Sequence, residues 1–504
     1  MNAIRTHFPL RIEATNAFLS RRRNTIVLLV CIAITAIAAA YGVRQTFRFT
    51  RWLVDDAFII FRYAENLAEH GELTWNIGED PVEGYTGITL PVLIALAIKL
   101  NIPPVLASHS IGIAAFLAGG ILLILILRGF NIGSAAAFIL YMTAPFLFAH
   151  AWSGLETTLF IAAILFAVYA LTLRKDWLFL ASLLIVSFTR PEGVLLALIL
   201  LFIYRPLPKG VLIAYLVPCA IYFVWRWNYY GQLLPNTFYA KHVAGGRIPA
   251  INAYKLWVFT RLYLAFPGLL ALLFLDPDII KRNWKPMLGL AAFSGVTIVN
   301  YLSFNLIMDF SYRFYAPFYP LALLAVGGIL KSNRLGFKLV LVAFAIITIQ
   351  TQRNIKEFPG EKHYAYTHYR MLREEHIEVG KLLRERIPQE EWIAVHADAG
   401  AIPFYAGHRT IDFGRLNDEY LARKRPAPEE ASDYFFSFNP AAVSFTSTKG
   451  TGVHHGREAD AILRDGRFAR YELVQRFESN IRPDYYQFLY IRKDLLRSGT
   501  TTDR

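Results

Sequence analysis

Between residues 25 and 350 the chain alternates long uncharged apolar runs with short polar turns. From 352 to 504 its apolar positions recur among charges in the manner of a water-soluble domain. A helix needs about 20 apolar residues to cross the hydrocarbon core of a bilayer, fewer where neighbours shield it. That pattern predicts spans at 25–44, 106–127, 133–150, 155–173, 177–190, 192–204, 210–227, 256–275, 287–307, 314–330 and 336–351. The pair 177–190 and 192–204 is short and split by Pro191; as two crossings or as one re-entrant hairpin, it returns the chain to the side it came from. The stretch 88–100 is apolar too. As a helix it is about 20 Å long against a core of about 30 Å, so it is read as an amphipathic helix at the membrane surface.

Positive charge then sets sidedness, because Lys and Arg accumulate in cytoplasmic loops. Arg21, Arg22 and Arg23 place the N-terminal segment 1–24 in the cytoplasm. Arg128, Arg174/Lys175, Arg205/Lys209, Lys281/Arg282/Lys285 and Lys331/Arg334 follow in alternate loops. With eleven crossings over 25–351, residues 352–504 become an extracytoplasmic domain. The loops 45–105, around 151–155, around 190, 228–255 and 308–313 then share that outer side. The expected fold is a polytopic α-helical bundle in the plasma (inner) membrane, carrying a small C-terminal α/β or α+β domain.

Composition agrees with this division. The 504 residues are 55% hydrophobic, with a mean hydropathy of +0.36. The net charge of +14 lies largely beside apolar runs, where it orients helices, so nucleic acid is a poor partner and the bilayer is the natural one. Both cysteines, Cys31 and Cys219, fall in apolar runs, so the C-terminal domain uses no disulfide. No zinc-ligand spacing, P-loop or dinucleotide-binding glycine motif occurs, which argues against nucleotide-sugar or ATP chemistry.

The first outer loop carries Asp55-Asp56-Ala-Phe-Ile-Ile-Phe-Arg62-Tyr63, with apolar residues 58, 59, 63 and 67 on one helical face. Two carboxylates at a helix start suit its free N–H groups, which makes one a cap and the other solvated. The same pair, partly buried, raises one pKa and yields a general base beside a carboxylate that stays ionised. Spacing leaves both readings open. Trp75, Glu83 and Tyr85 lie in a turn-rich continuation ending at Gly87.

The run DDAFIIFRYAENLAEHGELTWNIGEDPVEGYTG resembles the first external loop of bacterial GT-C-type glycosyltransferases, in particular the terminal arabinofuranosyltransferases of mycobacterial cell walls. SGLETTLF (153–160), TRPEG (189–193), YYGQLLPNTFYAK (229–241), YRFYAPFYPLALLA (312–325) and DAGAIPFYAGHRTIDFGRLND (398–418) extend the match. The resemblance implies a polyprenyl-phosphate sugar donor, inversion at the anomeric carbon, and an essential acidic residue mapping to Asp55 or Asp56. Relatives often read EGYTN where this chain has Gly87. The soluble domain is also smaller than in the mycobacterial enzymes, so an arabinose donor or arabinan acceptor does not carry over.

That chemistry asks for a base, cations for the leaving phosphate, polar groups for the sugar and an apolar groove for the prenyl tail. Arg313, Arg190 and Lys241 are the candidate cations; an interfacial anchor, a pair with Glu192 and a headgroup contact are their structural alternatives. Arg62, Glu83, Tyr85, Glu156, Glu192 and Asn236 are candidate substrate-binding groups, Glu156 being equally suited to capping a helix. Asp398, Asp412, Asn417 and Asp418 are candidates for a glycan or lipid acceptor, or turn formers. A divalent cation on outer-face carboxylates is compatible with the residue types but has no signature. The expected activity is transfer of a sugar from the lipid carrier to a hydroxyl of a cell-envelope acceptor. The competing class is a transporter or flippase with an external glycan-binding domain, which calls for inverted repeats and mid-membrane charges that the chain does not display.

Overall fold

The computed structural model describes residues 8–204, 206–242, 248–274, 277–306, 309–332, 337–479 and 481–498. Of the charges used for sidedness, Arg205 and Arg334 lie outside these residues, as do parts of the loops 228–255 and 308–313. Among the described residues four helices are long and apolar enough to cross a membrane: Thr25–Phe49, Pro104–Ile126, Lys209–Tyr230 and Ala250–Leu273. Ile132–Thr143 and Pro145–Trp152 form a fifth if their 61° bend is one broken span. The bend has a local cause: Ala144 is extended and Pro145 lacks an N–H to continue the ladder.

Thr157–Leu173, Asp176–Thr189, Glu192–Ile203 and Phe318–Lys331 are apolar but shorter. They pack beside the longer helices rather than standing alone. Large apolar side chains such as Ile37, Phe202, Ile221 and Leu272 face outward, the signature of a lipid-facing belt. The stretch around 88–100 forms the helix Thr89–Lys99, packed on Asp55–Glu69.

The last apolar run does not stop where the polar domain begins. Phe337–Met371 is a single helix across residue 351, passing through Pro359 and Gly360. It continues through a π turn at Leu372–His376 into Ile377–Arg386. The charged stretch 367–386 is therefore the upper part of the same rod.

Beyond it lies a five-stranded sheet: β1 (Trp392–His396), β2 (Arg409–Asp412), β3 (Ala442–Ser447), β4 (Tyr471–Ser479) and β5 (Arg482–Arg492), in the order β2-β1-β3-β5-β4. β1 pairs in parallel with β2 and β3, while β3–β5 and β5–β4 are antiparallel. Residues 466–470 make a 3₁₀ turn capped by the Asp465 carboxylate just before β4. In open α/β sheets the carboxyl ends of parallel strands are where ligands are usually met. Here the chain segments leaving β1 and β2 meet the first outer loop instead.

That loop is laid tightly on its neighbours. A Cβ at Gly87 would collide with the backbone carbonyl of Thr189, the residue before Arg190. The approach leaves no room for a side chain at this position. Gly87→Asn is expected to destabilise the fold by about 1–3 kcal/mol, the usual penalty of overpacking. A thermal melt of the detergent-solubilised protein would show a lowered midpoint; an unchanged one would mean that the loop yields freely.

Candidate active site

Asp55 and Asp56 open the helix Asp55–Glu69, with Val54 as its N-cap; neither carboxylate is solvated, at 3% and 7% exposure. Successive residues of a helix point about 100° apart, so the two side chains serve different neighbours.

Asp55 faces the soluble domain. Its Oδ2 accepts from the Gly400 N–H and its Oδ1 from the Ala401 N–H, both at 2.9 Å, and His376 Nδ1 lies 3.0 Å from Oδ1. A Cβ at Gly400 would collide with Asp55, so only glycine permits this approach. The other ring nitrogen, His376 Nε2, lies 3.6 Å from Asp398 Oδ2, which accepts from Thr446, Tyr485 and Gln487. Burial works to raise the Asp55 pKa, but the His376 charge and hydrogen bond and the two amides outweigh it and hold it low. Burial opposes the His376 cation, yet the Asp398 and Asp55 carboxylates raise its pKa to about 9. Asp55, His376 and Asp398 are within metal-ligating reach of one another. The donor set present fits an imidazolium bridging two carboxylates, since each ring nitrogen addresses a different acid and three protein donors already converge on Asp398.

Asp56 faces the membrane bundle. Its Oδ2 accepts from Arg313 Nη1 at 3.0 Å, while its Oδ1 has no hydrogen-bond partner among the described residues. Burial lifts its pKa, against the pull of Arg313 and Lys241, and the Asp55 charge adds to the rise. Among the described residues, the buried Nε–H of Arg313 has no partner. Arg313 is held by an unusual turn: Ser311 and Tyr312 both have positive φ, at 46° and 61°. Ser311 is pinned through its carbonyl, 2.9 Å from His150 Nε2, and through its hydroxyl, which donates to Glu361 at 2.8 Å.

Arg190 stands at the apex between Asp176–Thr189 and Glu192–Ile203. It bonds Glu156 at 3.2 Å, Glu192 at 3.2 Å and the Tyr301 hydroxyl at 3.2 Å; Tyr301 donates to Glu192 at 2.6 Å. Glu156 is the N-cap residue of Thr157–Leu173 but makes no side-chain cap, its carboxylate being spent on Arg190. Lys241 ends the helix Asn236–Lys241 within the field of Asp56, Arg313, Arg190 and Glu156. Desolvation, with Arg313 repulsion, lowers its pKa to about 8. Its ammonium makes no hydrogen bond or ion pair among the described residues. Asp56, Arg313, Arg190, Glu156, Glu192 and Lys241 are thus gathered into one electrostatic cluster.

The other candidates lie in the seams around it. Arg62 donates to the Trp75, Pro403 and His408 carbonyls and to Asn76, tying the first loop to the soluble domain. Glu83 pairs with Arg226 at 2.6 Å, and Arg226 also holds the Gln232 and Leu233 carbonyls. Tyr85 and Tyr230 share a hydroxyl contact of 3.0 Å. The Asn236 N–H donates to the Glu83 carbonyl, and its amide donates to the Arg415, Leu416 and Asp418 carbonyls. Asp412 accepts from Gly414 and Asn417, Asn417 stands beside the Tyr63 hydroxyl, and Asp418 caps the helix Glu419–Lys424. The segments EGYTG, LLPNT and FGRLND, some 150 and 180 residues apart, therefore interlock around Asn236, through its backbone N–H and its side-chain amide.

Sequence reasoning missed Tyr301 and His376. Tyr301 sits at the end of an apolar run, where a tyrosine reads as an interfacial anchor. His376 sits in a charged helix whose pattern gives no hint of burial.

A family model described as a domain of unknown function, DUF8728, matches residues 362–490. A Mycobacterium tuberculosis protein, terminal beta-(1->2)-arabinofuranosyltransferase, is 31% identical over 265 residues, covering 45% of this chain and 42% of that protein. The chain thus spans less than half the length of this relative. ArnT from Cupriavidus metallidurans, solved with undecaprenyl phosphate, superposes with a TM-score of 0.55 at 13% identity, over 91% of this chain and 97% of its own. The Archaeoglobus fulgidus oligosaccharyltransferase, tethered to an acceptor peptide, gives 0.52 at 11% identity over 82% and 68%. This is a GT-C fold. Mostly helical, with several apolar helices and a small sheet, the chain shares it with membrane glycosyltransferases.

The Asp55–His376–Asp398 bridge makes docking of the soluble domain pH-dependent. A histidine whose folded pKa is raised contributes stability that is complete below its unfolded value, about 6.5, and is lost as pH rises through about 9. Limited proteolysis of the soluble domain is expected to accelerate between pH 6.5 and about 9. His376→Gln should be faster throughout and flat across that window. A wild-type rate independent of pH would mean that the imidazole is not charged.

Proposed function

We propose that the chain transfers a sugar from a polyprenyl-phosphate carrier to a hydroxyl of a cell-envelope glycan or lipid, with inversion, on the outer face of the plasma membrane. The observation that carries this reading is the unequal treatment of the two adjacent acids. Both oxygens of Asp55 are occupied by the soluble domain, whereas Asp56 presents a free Oδ1 beside the cluster. Asp56 is then the base and Asp55 the positioning residue.

In the proposed reaction Asp56 Oδ1 takes the acceptor's O–H proton as that oxygen bonds to the anomeric carbon, from the face opposite the carrier. The bond from that carbon to the phosphate oxygen breaks, and the electron pair leaves with the polyprenyl phosphate. Positive charge develops on the sugar ring, as in other glycosyl transfers. Arg313, through its spare Nε–H, and the unpaired Lys241 hold the phosphate and offset its growing charge. Arg190, already shared by two carboxylates and a tyrosine, orders the floor of the site, and Glu156 and Glu192 address sugar hydroxyls. Eleven crossings, a cytoplasmic N-terminus and an extracytoplasmic soluble domain complete the proposal. The similarity to proteins described with undecaprenyl phosphate and with arabinofuranosyl transfer supports the donor class.

Membranes supplied with a panel of lipid-linked sugars test the chemistry. Asp56→Asn is expected to lose about 10²–10⁴-fold in rate with normal expression, the usual worth of a general base. Full activity in Asp56→Asn refutes the mechanism. The rate should also fall as pH rises through about 8, where Lys241 loses its proton, and Lys241→Arg should move that limb upward. A limb unmoved in Lys241→Arg would remove the lysine from phosphate binding.

A further inference from the structure

A concavity lies apart from the charged cluster. It is a cleft of about 630 Å³ between residues 76–82 of the first outer loop and the soluble domain, a volume in the range of small-molecule sites. Its aromatic lining comes from Trp392, Tyr420, Tyr434 and Phe438, all only half buried. Tyr420 and Tyr434 are stacked with centroids 4.5 Å apart, and the Phe438 ring lies 4.8 Å from Trp392.

The charges lining the cleft are mixed with an excess of acids, Glu79, Asp80, Asp418 and Glu419 against Arg423 and Lys424. Glu79 pairs with Arg409 at 3.1 Å, and Glu419 takes Arg423 at 2.9 Å. Asp80 and Lys424 carry no ion pair among the described residues and stand as one charge of each sign. Such a cleft does not concentrate phosphate or an anionic headgroup. Half-exposed rings offer a surface for the C–H face of a sugar, while unpaired carboxylate and ammonium groups exchange hydrogen bonds with its hydroxyls.

The position links it to the reaction. Val82 lines the cleft; the carbonyl of the next residue, Glu83, accepts from Asn236 N–H at 3.0 Å. From Asn236 a helix of about 7.5 Å runs to Lys241. Glu419, in the cleft wall, also accepts from Gln232 at 2.7 Å, just before that helix. The cleft and the charged cluster therefore share one short scaffold.

We propose that this cleft binds a neutral oligosaccharide, the part of the acceptor remote from the reacting hydroxyl; this rests on the reading of the chain as a glycosyltransferase. It makes Tyr420, Tyr434 and Asp80 acceptor-binding residues and draws the first outer loop into recognition as well as chemistry.

The full chain in lipid nanodiscs is titrated with oligo-arabinofuranosides, manno-oligosaccharides and malto-oligosaccharides of about two to six residues, enough to fill such a volume. Binding is followed by saturation-transfer NMR. At least one series is expected to bind saturably, with Tyr420→Ala weakening it about tenfold and Tyr420→Phe, which keeps the ring, within about threefold of wild type. Inorganic phosphate should not compete. Failure of all three series to saturate, binding undiminished in Tyr420→Ala, or competition by phosphate would each overturn the proposal. Asp56→Asn separates the two readings. It should bind the probe normally while losing transfer; normal transfer in that variant would sink the reaction and leave the cleft standing.

Discussion

The buried bridge from Asp55 through His376 to Asp398 is the interaction on which the rest depends. It fastens the first helix of the outer loop to the soluble domain with a cation between two carboxylates, backed by two backbone amides at Gly400 and Ala401. Burying three ionisable groups is costly unless each is paired, and here every one is. Once Asp55 is held, the helix geometry leaves Asp56 no choice of direction. It turns toward the membrane bundle and meets Arg313.

From there the organisation is a matter of converging elements. Arg313 comes from a turn with two residues at positive φ, pinned by His150 and by Glu361. Arg190 comes from the apex of two short helices, and Glu156 from the start of a third. Lys241 ends a helix whose first residue hangs on the first loop and on the segment after β2. Three acids and three bases enclosed together neutralise one another, so the cluster tolerates burial while Arg313 and Lys241 retain capacity for a further anion.

The rod from Phe337 to Arg386 makes the two halves of the molecule a single device. It holds Ser311 through Glu361 and Asp55 through His376, fifteen residues further on. One element thereby supports both the turn that carries Arg313 and the latch that orients Asp56. The carboxyl ends of the parallel strands, the usual ligand side of such a sheet, meet the protein's own outer loop, and a separate cleft opens around Trp392 and Tyr420.

Much of this was legible in the residues themselves. The apolar runs marked a membrane protein because hydrophobic length is a local property. The segments around Asp55, Glu156, Arg190, Asn236 and Arg313 stood out because charge and turn residues punctuate those runs. Pairing was not legible. Nothing in the sequence says that Asp55 belongs to a histidine 321 residues away while Asp56 belongs to an arginine 257 residues away. The same holds for Arg62, Glu83 and Tyr85, whose partners include His408, Arg226 and Tyr230 in distant segments. Local pattern determines which segments are helical and greasy, but which buried charge meets which depends on how distant segments are brought together, and only the tertiary structure decided that.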